Sequence, residues 1–70
     1  MNKQTMEMIK LASRYLNAVD LNEREGNQTS YTACNGAFWG VVRCIGITLG
    51  ISDMDVYDLV LDYEDGILAA

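Results

Sequence analysis

Ser30-Tyr-Thr-Ala-Cys-Asn-Gly-Ala-Phe-Trp-Gly-Val-Val-Arg-Cys-Ile-Gly-Ile-Thr-Leu-Gly50 is the stretch whose reading decides the fold. It carries a single charge, Arg43, and the chain's only Phe and Trp. At 100° per residue, Tyr31, Cys34, Phe38, Val41, Val42, Ile45 and Leu49 fall on one arc, the spacing of a buried helical face. A strand accounts for less. Val41, Ile45, Ile47 and Leu49 alternate, but Arg43 interrupts them and Val42 is left out, whereas the helical arc takes Val42 in. Opposite the arc lie Ala33, Gly36, Gly40 and Cys44, all small. An interior glycine costs a helix roughly 1 kcal/mol relative to alanine, and close backbone approach is the usual compensation. The Gly36-x-x-x-Gly40 pair therefore predicts a groove in which another helix of a soluble bundle lies near. A membrane span would need about 20 unbroken apolar residues, and this run is shorter and charged. Gly50 occupies the place of a left-handed C-cap.

The flanks read as two further helices. Thr5 is the expected first N-cap, with Glu7 in the first turn. Met8, Ile9, Leu11, Ala12, Tyr15, Leu16, Ala18 and Val19 cover one half of the wheel, while Glu7, Lys10, Ser13, Arg14, Asn17 and Asp20 take the polar half. Glu7 with Lys10, and Asp20 with Arg24, are spaced as surface pairs. Gly26-Asn27 stops this helix, and Thr29 or Ser30 is the expected cap of the next, with Asn35 a competing start. Ser52 caps a third helix, with Asp53 and Asp55 in its first turn and Val56, Leu59, Val60 and Tyr63 toward the core. Gly66 ends it. The expectation is one all-α domain over residues 1–70, a compact three-helix bundle with helices at about 5–24, 30–49 and 52–65 and a glycine-rich central helix.

A chain of 70 residues builds only a small core. Cys34 and Cys44, ten residues apart on one helix, stand roughly 15 Å from each other, beyond the ~7 Å that a disulfide spans. They are expected as buried free thiols in a reducing compartment. With no His and two Cys, no zinc site is expected, and no other cofactor is implied. The polar N-terminus lacks an apolar signal core, so a cytoplasmic protein outside the membrane is expected. The Asn27-Gln28-Thr29 acceptor pattern for glycosylation then has no role.

Charge is the main functional clue. The net charge is −5. Up to residue 50, Lys3, Lys10, Arg14, Arg24 and Arg43 nearly balance Glu7, Asp20, Glu23 and Glu25; beyond it stand Asp53, Asp55, Asp58, Asp62, Glu64 and Asp65 with no base. Asp55, Asp58, Asp62 and Asp65 follow a 3, 4, 3 spacing and form a ridge on the third helix, with an apolar strip of Met54, Tyr57 and Leu61 beside it. The plain reading is a solvated helix face that keeps the protein soluble, with the strip covering a neighbouring helix edge; the functional reading makes the combination the first candidate surface for a basic protein partner, the aspartates steering and the strip anchoring. Trp39 and Arg43, one turn apart and away from the Phe38 face, have two readings: a half-buried tryptophan at the core edge with Arg43 stacked on it, or an interface anchor, which makes them the second candidate surface. Self-association is compatible with either surface.

Other classes fit less well. Without His, and with its aspartates on one ridge rather than across a cleft, the chain is not expected to be an enzyme. Asp53-Met54-Asp55 starts like a calcium loop but lacks that loop's glycine and terminal ligand. A helix-turn-helix would present only acids to phosphate, which excludes direct nucleic-acid binding. The rival reading uses the same repulsion: aspartates one turn apart, about 5–6 Å, imitate nucleic-acid phosphates and block a DNA- or RNA-binding protein. Leu68-Ala69-Ala70 resembles the end of the transfer-messenger-RNA degradation tag, which implies rapid turnover where such a tail is free.

Overall fold

Three helices form where periodicity places them. The computed structural model describes residues 2–68, with α1 at Lys3–Glu25, α2 at Gln28–Leu49 and α3 at Asp53–Glu64. Gly26 and Gly50 end the first two helices in the left-handed conformation, φ 72° and 71°, and the amide of Gly50 donates to the Gly46 carbonyl at 2.8 Å. Ser52 caps α3 as expected, its hydroxyl accepting from the Asp55 amide at 3.2 Å. The other two caps fall two or three residues upstream of their expected places. Asn2 caps α1 by accepting from the Thr5 amide at 2.8 Å, and Asn27 caps α2 by accepting from the Ser30 amide at 3.2 Å. Asparagine competes as well as Ser or Thr for an N-cap, and each upstream start adds part of a turn to the helix. Thr5 is thereby freed from capping and is buried inside α1, and the first turn of α1 contains no acid.

α1 and α2 turn back on each other through Gly26-Asn27 and make a long hairpin. α3 leaves α2 at 105° and packs on both. A 23-residue helix is roughly 35 Å long and a 12-residue one roughly 18 Å. The molecule measures 36 × 23 × 18 Å, so α1 runs its whole length, while α3 is set across the hairpin and covers one end of it. The core sits at the covered end. Ile9 and Ala12 of α1, Phe38, Val42 and Ile45 of α2, and Val56 and Val60 of α3 are all within 1% of complete burial. Each such side chain contributes roughly 1.5–3 kcal/mol of transfer free energy, except the smaller Ala12. Toward the hairpin tip only Val19 is buried, with Leu16, Tyr31 and Cys34 half-covered.

That half-coverage corrects several expectations. The polar and apolar halves of α1 are rotated from the simple wheel: Ser13 is buried and donates its hydroxyl to Glu64 Oε2 at 3.2 Å, while Leu11 is 38% exposed. The docking of α3 decides this, because it covers the Ser13 side and leaves the Leu11 side open. Leu59, expected in the core, is only half-buried, and Tyr57 packs against the core instead. Of the thiols, Cys34 is half-buried and receives a weak bond from Asn22 Nδ2 at 3.8 Å, but Cys44 is exposed. Both are free.

The groove expected at Gly36 and Gly40 takes no helix of this chain: a Cβ built on either meets nothing within 4 Å. The close approach is at Gly46 instead, where a Cβ would stand 2.8 Å from the Ile51 carbonyl oxygen and 3.5 Å from Val56 Cγ2. The wheel puts Gly36 and Gly40 opposite the core arc, and in a bundle of three short helices that side faces outward. Gly46 lies on the flank over which the chain doubles back after Gly50. Alanine should therefore act with opposite sign at these sites. Gly36→Ala and Gly40→Ala should each raise stability by up to about 1 kcal/mol, since helix propensity improves with no steric cost. Gly46→Ala should lower it by about 1–3 kcal/mol, because the opposing atom is backbone and cannot swing away. Urea unfolding of the three variants checks both signs.

Candidate functional site

The two candidate surfaces meet. Phe38 is fully buried and orders two rings around it: Trp39, with centroids 5.0 Å apart at 72°, and Tyr57 of α3, 6.0 Å apart at 83°. Both are edge-to-face contacts. Trp39 and Tyr57 then lie nearly parallel, 13° between planes and 5.8 Å between centroids. α2 supplies the tryptophan, α3 the tyrosine, and the stack ties the helices together. Trp39 remains 37% exposed.

Arg43 does not stack on Trp39. Its Nη2 reaches Asp53 Oδ2 at 3.5 Å, across the α2–α3 elbow. A carboxylate one residue into α3 attracts the guanidinium more than the ring does, and the Trp39 face toward α3 is already taken by Tyr57. Arg43 and Asp53 are 72% and 41% exposed in their side chains, so the pair adds at most about 1 kcal/mol. Besides the expected Lys10–Glu7 contact at 3.6 Å, it is the other ion pair among the described residues; Asp20 and Arg24 do not meet.

Along α3, Met54 is 62% exposed, Leu61 is half-buried and Tyr57 is half-buried with its ring committed to Phe38 and Trp39. Met54 and Leu61 are therefore the free members of the strip, and Tyr57 is a structural post that also shows at the surface. Asp55, Asp58 and Asp65 are exposed. Asp62 is half-buried, where the chain folds back after Gly66 (φ 77°) and the amides of Ile67 and Leu68 donate to its backbone carbonyl at 2.9 and 3.1 Å. Among the described residues, none of these four carboxylates is in an ion pair.

The ridge carries an electrostatic cost. Asp55 sits at the favourable N-terminal end of the helix dipole, but Asp62, Glu64 and Asp65 crowd its negative end, and no base stands in the last turn. Like charges at i, i+3 and i, i+4 repel by a few tenths of a kcal/mol each. Asp62→Asn with Asp65→Asn should consequently raise the melting temperature by a few degrees at low ionic strength, and the gain should shrink as salt is added; thermal scans at two salt concentrations read this out.

Leu68 is half-buried against the core, and Ala69-Ala70 of the tag-like ending lie outside the described residues. No single helix among the described residues is long and apolar enough to cross a membrane, and a span shared by α2 and α3 would have to pass their 105° bend. Among the described residues no three metal-ligating side chains come together. Sequence reasoning missed Gly46, the Arg43–Asp53 pair and the Ser13–Glu64 bond. The Gly46 signal was present, since its angular position lies beside Val42 on the flank of the core arc, whereas Gly36 and Gly40 lie opposite that arc. Comparison of the chain with protein-family models, with curated proteins and with solved structures finds no match.

Proposed function

We propose that this protein is a small acidic interaction module that binds a basic protein partner and performs no catalysis. The observation that carries the reading is the Trp39–Tyr57 stack, which brings the exposed tryptophan of α2 against the α3 strip of Met54, Tyr57 and Leu61; helical spacing sets Asp55, Asp58, Asp62 and Asp65, in no ion pair among the described residues, beside that strip. Apolar anchors rimmed by one sign of charge are what a charged partner with an apolar core patch docks on. The carboxylates work against α3 while they stand alone, and a cationic partner relieves that repulsion. The absence of catalysis fits a chain without histidine. A reducing, cytoplasmic setting fits the two free thiols.

Two variants separate the contributions. Met54→Ser with Leu61→Ser removes the anchors and spares the Phe38–Trp39–Tyr57 cluster; Asp→Asn at 55, 58, 62 and 65 removes the charge. A partner captured from the source cell's lysate and identified by mass should be retained by the wild type and lost, by at least about tenfold, from each variant. Equal retention by all three proteins would sink the proposal. Retention that depends on the aspartates alone, and that duplex DNA abolishes, would transfer the function to phosphate mimicry. The proposal includes self-association, for which Ile47, 77% exposed about two turns beyond Gly40 on the same side of α2, is the outstanding apolar residue. Sedimentation should show a mass above that of the 7.8 kDa monomer at high concentration, reduced by Ile47→Ser; a monomer at all concentrations removes this part.

A further inference from the structure

We infer that two copies of this chain pair through the open side of the α1–α2 hairpin, the large side chains of α1 in each copy seated in the trough of small residues on α2 of the other. This rests on the self-association proposed above and names the face that carries it; the binding of a basic partner by α3 stands apart from it.

α3 covers one side of the hairpin only. On α2 that side is marked by Gly46, whose Cβ position meets Ile51 and Val56, and on α1 by Ser13, bonded to Glu64. At 100° per residue, Ala37, Gly40 and Cys44 lie roughly 120–180° round α2 from Gly46, and Met8, Leu11 and Tyr15 lie roughly 140–160° round α1 from Ser13. These six residues, with Val41 between them, line one open groove. Its two walls differ in height. Met8, Leu11 and Tyr15 form a ridge, and Leu11 is 38% exposed. Ala37, Gly40 and Cys44 form a trough, in which a Cβ on Gly40 meets nothing within 4 Å and Cys44 is exposed. Ile47 continues the trough side about one turn past Cys44. Because the two helices rise equally from the turn at Gly26-Asn27, Leu11 stands level with Gly40 and Val41, Met8 with Cys44, and Tyr15 with Ala37.

Shape, charge and area each point to a second copy as the occupant. A ridge beside a parallel trough is self-complementary: a half-turn about an axis along the hairpin puts each ridge over the other copy's trough, with Leu11 of each copy over Gly40 of the other. The four helices then alternate in direction round a common centre, the arrangement of an antiparallel four-helix bundle, and the small residues let them approach closely. No charged residue lines the groove. Glu7, beside it on α1, is met by Lys10 at 3.6 Å, and the acids of α3 belong to the helix on the other side of the hairpin. Two chains of net charge −5 can therefore meet here without setting their acidic helices against each other, whereas a strongly charged partner finds nothing to pair with. The face of two such helices is roughly 33 Å long and, at about 10 Å per helix, roughly 20 Å wide, enough for the ~800 Å² that each partner gives to a standard interface. A chain of 70 residues with both thiols free also belongs to the size class in which association supplements a small core.

Sedimentation and the rate of maleimide labelling at Cys44, followed as protein concentration rises, test this. The wild type should dimerise, and Cys44 should label about tenfold more slowly once dimer outnumbers monomer about ten to one. Gly40→Leu adds an apolar side chain where the monomer has open space, so the fold is kept, which circular dichroism checks; it fills the trough and should weaken dimerisation at least about tenfold. Adhesion of apolar patches without this fit would be strengthened by the same change. Leu11→Ala combined with Gly40→Leu exchanges large for small across the interface and should associate more tightly than Gly40→Leu alone. Met54→Ser with Leu61→Ser should leave dimerisation unchanged. Any one of four results overturns the groove assignment and leaves self-association in place: a dimer that persists in folded Gly40→Leu, no gain from the added Leu11→Ala, a dimer lost with the α3 strip, or a wild-type dimer whose Cys44 labels at the monomer rate. A wild type that stays monomeric at every concentration overturns the groove and self-association together, and leaves the basic-partner reading to its own variants.

Discussion

The contact of Gly46 with the Ile51 carbonyl is the constraint from which the rest of the arrangement follows. Because Gly46 has no side chain, the chain can double back directly over α2 after Gly50, and α3 is laid down at 105° close enough for Val56 to reach the core. That position brings Tyr57 against Phe38 and Trp39, Asp53 to Arg43 and Glu64 to Ser13. A side chain at position 46 would push α3 outward along its first turns and loosen all of these at once. A glycine that weakens its own helix by roughly 1 kcal/mol is thereby exchanged for a tertiary interface several side chains deep.

The molecule divides into a stable end and a thin one. The triple-helix end holds nearly all the fully buried residues, and the hairpin tip rests on two helices with half-buried Leu16, Tyr31 and Cys34 between them. Few buried apolar contacts mean a lower local opening free energy, so the tip around Gly26 and Asn27 is the part of the fold that opens first. The proposed binding surface lies at the other end, where Phe38 fixes both rings. An aromatic surface that is already ordered loses little conformational freedom on binding, which leaves more of the interaction energy for affinity.

The two surfaces read separately from the sequence are one because Tyr57 plays two parts. Helical spacing assigns it to an outward strip with Met54 and Leu61, and its ring is partly there, but its packing belongs to Phe38 and Trp39. The same placement explains why Arg43 is not on the indole. Once Tyr57 occupies that ring from the α3 side, the closest strong partner for the guanidinium is Asp53. Of the acidic ridge that the 3, 4, 3 spacing draws, Asp55, Asp58 and Asp65 are exposed, while Asp62 is half-buried where the chain folds back after Gly66.

By itself the sequence determined the number of helices, their stops at Gly26, Gly50 and Gly66, the Phe38 face of α2 and the segregation of negative charge onto α3. All of these are local: they depend on periodicity, on glycine's access to positive φ and on which residues lie within a turn of each other. Only the tertiary structure decided which glycine is approached, which side of α1 is inside and which group Arg43 holds. Those depend on where a short third helix lands, and the wheel of a single helix has no information about the direction from which its neighbours come. The wheel sets Gly46 on the flank of the core arc and Gly36 and Gly40 opposite it, but that α3 passes over the first and leaves the other two open is decided by where α3 lands.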